Sequence, residues 1–373
     1  MTRPPSQAAR APGRWRGVRR ALVVAGLVTL GLAVGSAVAG SPAWLEAPWS
    51  DEAAASPPSA GYLVPWDYAA GQDSLWGHHE TIGEVNPVWF ALGPDGRLQS
   101  TGGPGPAHRL ELPPGSDIAL APTVTNHHDG GWDPDAVGEI LGEADARDRH
   151  AAEIADLAAR YAWDGVDLDY EFLHPDDRER YTAFVETLAA RLHADGRRLS
   201  VAVHAKASDA GEAHYHRAYD YAALGAAADS LRIMAYDHHS SGSDPGPVAP
   251  LAWVDDVLAY ATDQVAPERI ALGLAAYGYD WSDEQARDLT WREAVALAER
   301  HDARVRWDAA GAAAWFTYHD DAGTEHTVWF EDARSADAKS AVAAEHGVHD
   351  VFLWRLGGED PAIWDALGPA AAP

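Results

Sequence analysis

The stretch that decides the fold is Asp164-Gly-Val-Asp-Leu-Asp-Tyr-Glu171. Because side chains alternate between the two faces of a β-strand, Asp167, Asp169 and Glu171 share one face. The other face carries the apolar set Val166, Leu168 and Tyr170. In a parallel barrel an apolar face of this kind packs against helices, while the acidic face points inward toward the carboxyl-terminal mouth. We therefore expect Glu171, the last of the three acids, to lie nearest to solvent and substrate.

Seven further apolar runs predict strands in the rest of the chain. They are 62–66, 87–92, 118–125, 199–206, 230–236, 270–277 and 350–356. Helical patterns, with apolar residues three or four apart, occur between several of them, at 145–161, 178–194 and 250–262. Strands alternating with helices predict the α/β class and a parallel sheet covered on both faces, here a (β/α)8 TIM barrel. The alternative, a doubly wound open sheet, usually has a Gly-rich first turn before a helix, which this sequence lacks.

One segment interrupts the repeat between the seventh and eighth strands. Short strand patterns at 305–307, 315–318 and 327–330, with a turn at 320–323, predict a small β-rich insertion over about residues 303–332. We expect this insertion to be too short for a core of its own. The predicted catalytic barrel spans residues 61–368.

The N-terminal 60 residues have a different composition from the rest. Residues 1–20 are rich in Arg and Pro, and residues 21–40 are almost wholly apolar. This order predicts a signal peptide, cleaved after Ala39, or an N-terminal membrane anchor in residues 21–40. In both cases the remainder is exported, to the extracellular space or the cell envelope. Residues 41–60, rich in Pro, Ser and Ala, are interpreted as a linker.

Composition excludes several classes of function. The chain has 57 acidic and 28 basic residues, a net charge of −29, so nucleic-acid binding is not expected. It has no cysteine, which excludes disulfides, thiolate nucleophiles and cysteine–zinc sites. Adjacent histidines occur at 78–79, 127–128 and 238–239. They lack the spacing of a metal site, so we expect no metal and no cofactor.

The three acids on one strand face predict acid–base chemistry. Neighbouring carboxylates raise one another's pKa, and burial acts in the same direction. A raised pKa allows a glutamic acid to act as a general acid near neutral pH, and the three groups should titrate as a coupled set. A solvated acidic loop is the simpler alternative, but a loop would not alternate so strictly with Val, Leu and Tyr.

At these residues the sequence resembles glycoside hydrolase family 18, whose fourth strand carries Asp-x-x-Asp-x-Asp-x-Glu. Asp164, Asp167, Asp169 and Glu171 match all four positions. Later motifs follow in the family's order. They are Met234-Ala-Tyr236-Asp237 on the sixth strand, Leu272–Trp281 on the seventh, and Leu353-Trp354-Arg355-Leu-Gly-Gly-Glu359-Asp360 on the eighth.

The resemblance implies a retaining hydrolase in which the 2-acetamido group of the substrate, not a protein side chain, attacks the anomeric carbon to give an oxazolinium intermediate. It implies that Glu171 is the general acid and base. Asp169 would orient the acetamide N–H, Asp167 would exchange a proton with Asp169, and Tyr236 would hold the acetamide oxygen. Asp164 would support the strand.

The remaining candidate site residues are interpreted as substrate-binding. The resemblance implies that Trp354 stacks beneath a sugar ring. Tyr62 and Tyr277, like Trp66 and Trp89, lie at strand positions where stacking on a pyranose is expected. Asp237 belongs to the sixth-strand motif, and Asn126 ends the third strand and is predicted to donate to substrate.

Departures from the family pattern bear on the expected substrate. Chitinases of the family carry Ser-x-Gly-Gly on the third strand, where this chain has Ala121-Pro-Thr-Val-Thr-Asn126. This feature and the segment Val328–Ala333 are closer to the branch of bacterial spore-cortex and cell-wall lytic enzymes. The expected substrate is an amino-sugar polysaccharide, such as a chitin-type glycan or peptidoglycan. The alternative is a non-catalytic sugar-binding protein of lectin type, although such relatives usually lack the glutamate found here at Glu171.

Overall fold

The computed structural model describes residues 59–101, 110–283 and 286–368. The predicted signal peptide or anchor, and all but the end of the predicted linker, lie outside these ranges. Among the described residues, no helix combines the length and the apolar character that a membrane span requires.

Eight parallel strands form a closed barrel. In chain order they are Ser59–Leu63, Ile82–Leu92, Thr123–Thr125, Gly165–Asp169, Arg198–His204, Ser230–Met234, Ile270–Ala275 and Asp350–Trp354. The first strand pairs with both the second and the eighth, which closes the cylinder. The predicted (β/α)8 barrel is therefore confirmed.

Helices cover the outside of the barrel. They are Tyr68–Gly77, Pro134–Gly142, Ala144–Tyr161, Arg178–Ala194, Tyr221–Ala227, Leu251–Gln264, Ala333–Glu345 and Ile363–Leu367. Arg178–Ala194 follows its predicted bounds and buries Phe184 and Leu188. Val166 and Leu168 of the fourth strand are fully buried in the same apolar layer. The apolar face of the motif thus packs outward, as a parallel barrel requires.

All eight barrel strands differ from their predicted bounds at one end or both; the second, for example, begins at Ile82 instead of residue 87. The first begins at Ser59, inside the predicted linker, and both Ser59 and Ala60 are buried. The third, predicted as one run over 118–125, is split into Ala119–Leu120 and Thr123–Thr125. Pro122 lies in the gap, where its lack of a backbone N–H interrupts the ladder.

The insertion is larger than predicted. It contains a five-stranded antiparallel sheet built from Tyr277–Trp281, Ala286–Thr290, Arg306–Asp308, Ala313–His319 and Glu325–Phe330, with the helix Trp291–Arg300. The predicted start near residue 303 was wrong because the apolar run of the seventh strand leaves the barrel after Ala275 and continues as Tyr277–Trp281 in this second sheet.

The insertion also has a core of its own, contrary to expectation. Leu289, Leu297, Phe316, Val328 and Phe330 form a buried cluster separate from the barrel core. The reason is that an amphipathic helix covers one face of the sheet, which supplies the second layer that three short strands would lack.

Candidate active site

The fourth strand is held closely against both neighbours. A Cβ at Gly165 would lie 2.8 Å from the carbonyl oxygen of Arg198, so only glycine permits this approach to the fifth strand. On the other side, the Asp164 carboxylate accepts a hydrogen bond from the backbone N–H of Leu120 at 2.8 Å. The backbone N–H of Asp164 donates in return to the Leu120 carbonyl oxygen. These contacts fix the start of the strand that carries the acids.

Asp167 lies at the barrel floor and is completely buried. Its Oδ2 accepts hydrogen bonds from the hydroxyls of Tyr62 at 2.9 Å and Thr123 at 3.0 Å. Its Oδ1 accepts from Ser200 Oγ at 2.7 Å and from Arg232 Nη1 at 3.1 Å. Burial raises the pKa of Asp167 above its usual range, and Arg232 and the three hydroxyls each limit that rise. Asp167 is therefore a buried carboxyl group whose oxygens accept from four donors.

Asp169 lies one step nearer the mouth, in a different environment. It is 7% exposed, and its Oδ1 has no hydrogen-bond partner among the described residues. Burial and the neighbouring charge of Asp167 raise the pKa of Asp169 to about 8. Asp169 is therefore expected to hold a proton near neutral pH.

Glu171 follows the end of the strand and lines the cleft. Burial raises the pKa of Glu171 well above its usual range, and Asp169 and Asp237 raise it further. Its Oε2 lies 3.3 Å from His204 Nε2. Burial, with a smaller effect of His216, lowers the pKa of His204 to about 3, so the imidazole facing Glu171 is neutral. Glu171 thus has the protonated state that a general acid needs.

His204 is a site residue that sequence reasoning missed. It ends the fifth barrel strand, and the carboxyl end of a barrel strand is where active-site residues are expected. That position was the available signal, but its contact with Glu171 spans two strands and is not encoded by local spacing.

Asn126 requires a correction. It is completely buried, and its Nδ2 donates to the Glu171 carbonyl oxygen at 3.0 Å. Its Oδ1 accepts from the Glu171 backbone N–H at 2.8 Å. With no exposed surface, Asn126 cannot present its amide to substrate as predicted. It holds the backbone of Glu171 instead.

Left-handed backbone conformations occur beside two site residues. Phe172, directly after Glu171, has φ of 57°, and Asp237, directly after Tyr236, has φ of 60°. Such conformations cost about 1–3 kcal/mol in non-glycine residues and concentrate at functional sites. Asp237 Oδ1 accepts from the hydroxyls of Tyr277 at 2.6 Å and Tyr279 at 2.8 Å. The hydroxyl of Tyr277 therefore serves to hold Asp237.

The acids open into a cleft of about 540 Å³ at the barrel mouth, a size typical of small-ligand sites. Its aromatic lining consists of Tyr62, Trp132, Phe172, Tyr215, Tyr236, Trp253, Phe352 and Trp354, besides histidines. The ring of Tyr62 packs edge-on against Trp354 at 5.3 Å. Flat aromatic faces suit pyranose rings, and the described residues that line this cleft include neither Lys nor Arg.

Two tryptophans considered for sugar stacking lie elsewhere. Trp89 is 3% exposed and packs against Trp163 in the outer apolar layer, so it does not face the cleft. Trp66, after the first strand, is 66% exposed, and its ring lies 5.9 Å from the guanidinium of Arg355.

Comparison with known proteins agrees with this geometry. The family model described as glycosyl hydrolases family 18 matches residues 129–359. The cortical fragment-lytic enzyme of Bacillus anthracis is 32% identical over 250 residues, which are 65% of this chain and 58% of that enzyme. The chain thus spans less than two thirds of that relative. The di-N-acetylchitobiase of Mus musculus is 23% identical over 263 residues, 58% of this chain and 70% of that protein.

Solved structures give the same result. The spore cortex-lytic enzyme SleL of Bacillus cereus superposes with a TM-score of 0.73 at 27% identity, over 83% of this chain and 73% of that one. A chitinase from Chromobacterium violaceum superposes with a TM-score of 0.76 at 30% identity, over 83% of this chain and 98% of that one. The family match covers the fourth to eighth barrel strands and most of the acid-bearing cleft, so the chain belongs to glycosyl hydrolase family 18.

Proposed function

We propose that this glycoside hydrolase cleaves bonds next to 2-acetamido sugars with retention, through an oxazolinium intermediate formed by the substrate's own acetamide. The observation that carries the proposal is the charge state of the acids at the cleft. Raised pKa values keep Asp169 and Glu171 protonated, so neither is a ready carboxylate nucleophile. Asp167 is completely buried below the cleft, accepts hydrogen bonds from four donors and is not among the residues that line the cleft.

Each site residue has its own part in the reaction. Glu171 protonates the glycosidic oxygen while the acetamide oxygen attacks C1, so the C1–O bond breaks as the new C1–O bond of the oxazolinium ring forms. Asp169 accepts a hydrogen bond from the acetamide N–H. As Glu171 gives its own proton to the leaving oxygen, Asp169 shares its proton with the resulting Glu171 carboxylate, and the negative charge left on Asp169 stabilises the positive charge that develops on the acetamide. This proton returns to Asp169 before Glu171 accepts one from water. Tyr236 holds the acetamide oxygen in line, and Trp354 supports the sugar from below. Glu171 then removes a proton from water as it attacks C1 and opens the ring.

A polymer containing N-acetylglucosamine is the substrate class that the relatives support. They include cortical fragment-lytic enzymes and chitinases. A cleft lined with aromatic rings and carboxyl groups, but not with Lys or Arg, suits an uncharged N-acetylated glycan backbone. We propose a chitin-type glycan or peptidoglycan, acted on outside the cell or in its envelope by a protein that is secreted or anchored through residues 21–40.

The test compares the wild type with Glu171→Gln on chitin oligomers and on peptidoglycan. Loss of the general acid should lower turnover by about 10²–10⁴-fold while the variant keeps its fold and still binds the glycan. A thiazoline analogue of the cyclised sugar should inhibit the wild type. Equal turnover of the two proteins, or a sugar trapped as an ester on the polypeptide, would overturn the mechanism. Binding without cleavage by the wild type would favour the lectin alternative.

A further inference from the structure

Arg232 is a buried cation directly beneath the catalytic acids. It belongs to the sixth barrel strand and is 4% exposed. Its Nη1 donates to Asp167 Oδ1 at 3.1 Å and to the hydroxyl oxygen of Tyr62 at 3.2 Å. Its Nη2 donates to the carboxylate of Glu84 on the second strand. One guanidinium therefore bridges two carboxylates inside the barrel.

Glu84 has a second cationic partner, so its charge does not depend on Arg232 alone. Glu84 Oε2 pairs with Arg198 Nη2 at 3.0 Å, and its Oε1 accepts from Asn86 Nδ2 at 2.9 Å. Burial raises the pKa of Glu84, but Arg232 and Arg198 lower it more, so Glu84 is ionised. The floor then holds two carboxylates against two guanidiniums, and the charge on Asp167 is balanced.

The other groups that face Asp167 also lower its pKa. Every strand that packs against it supplies a donor or no charge at all: Tyr62 from the first strand, Thr123 from the third, Ser200 from the fifth and Arg232 from the sixth. The acidic neighbours are Asp169 above it on the same strand and, beyond Arg232, Glu84 and Asp350. Asp169 has no comparable set of donors.

We propose that Arg232 is a positioning residue that keeps Asp167 ionised throughout the catalytic cycle. In the acid column, formed by Asp167, Asp169 and Glu171, the mobile proton then passes only between Asp169 and Glu171. This inference rests on the function proposed above, and it differs from the expectation that Asp167 itself exchanges a proton with Asp169. The fixed negative charge on Asp167 retains the proton on Asp169, beside Glu171, before substrate binds. Asp169 therefore carries its proton before substrate binds, and no proton transfer to or from Asp167 is needed.

The first test is the pH dependence of kcat/KM for Arg232→Met, with Arg232→Lys and Arg198→Met as matched variants. Without its counterion Asp167 should bind a proton at higher pH, so the acidic limb should move upward by about 1–3 pH units. Arg232→Lys keeps the positive charge, so the acidic limb of its pH profile should lie near the wild-type position. Arg198→Met removes a charge from Glu84 without touching Asp167 and should leave the limb in place. A merely structural role would lower the rate at every pH without moving the limb, and that result would overturn the proposal.

The second test needs no variant at position 232 and no turnover. Carbon NMR of the protein labelled at aspartate carboxyls, with Asp167→Asn and Asp169→Asn to assign the signals, follows the two groups directly. Asp167 should ionise at a lower pH than Asp169, and the reverse order would overturn the proposal even if Arg232→Met failed to fold. Since this order is independent of activity, a wild type that cleaves no glycan would refute the proposed function and leave this result standing.

Discussion

Asp167 and Asp169 extend from one strand into one barrel interior, two residues apart, and both are buried. Their surroundings differ sharply. At the floor, four donors from four other strands surround Asp167. At the mouth, Asp169 has an oxygen without a partner among the described residues and the charge of Asp167 below it. Burial alone therefore does not decide which carboxyl is charged; the supply of donors does.

The comparison also separates structural from catalytic roles along one strand. A buried carboxylate with its hydrogen bonds satisfied is a fixed charge, and removing it leaves its cation unpaired. A buried carboxyl with an unsatisfied oxygen is costly to the fold, and such a cost persists where substrate supplies the missing partner. In the proposed mechanism the acetamide N–H is that partner for Asp169.

The matched pair Asp169→Asn and Asp167→Asn is expected to give the largest difference. Asp169→Asn should lower kcat by about 10²–10³-fold, with little change in the free energy of unfolding, because an amide cannot share a proton with Glu171 and so cannot acquire the negative charge that stabilises the developing positive charge. Asp167→Asn leaves Arg232 without its full partner, so the free energy of unfolding should fall by about 3–5 kcal/mol. Turnover and urea unfolding of both variants test this. If the two lose stability equally, the distinction between floor and mouth is wrong.

A pH profile of the wild type sharpens the same comparison. Burial and the charge of Asp167 raise the pKa of Asp169 to about 8, and the proposed reaction requires Asp169 and Glu171 to be protonated. The active form therefore persists below this pH and is lost above it. We expect kcat/KM to fall as pH rises through about 8, by about tenfold per unit. Unfolding measured at each pH is the control, and an alkaline limb near the ordinary carboxyl range, about pH 4, would contradict it.

Sequence reasoning located the acid column because strand alternation is a local rule. It placed Asp167, Asp169 and Glu171 on one face, and the structure has them in one column from floor to cleft. It did not find Arg232 or His204, whose contacts with the acids cross the barrel between different strands. Such pairings depend on strand register and on the closure of the cylinder, which no local pattern encodes.

The insertion illustrates the same limit at the level of an element. The three predicted strands form pairs within residues 306–330, where the chain turns back on itself. The two missed strands, Tyr277–Trp281 and Ala286–Thr290, join the sheet at its other edge. An apolar run such as 270–281 can continue a barrel strand or begin a new sheet, and only tertiary packing decides between them.

Asn126→Ala is expected to have the smallest effect, and it separates two roles for one residue. If Asn126 bound substrate, its loss would raise KM. Because it is completely buried and bonds both backbone groups of Glu171, we expect KM to stay near the wild-type value while kcat falls about tenfold through misplacement of the acid. Asn86→Ala is the matched control: it removes another completely buried asparagine, at the floor, and should cost stability without this loss of kcat. A raised KM for Asn126→Ala with unchanged kcat would show that Asn126 binds substrate and does not position Glu171.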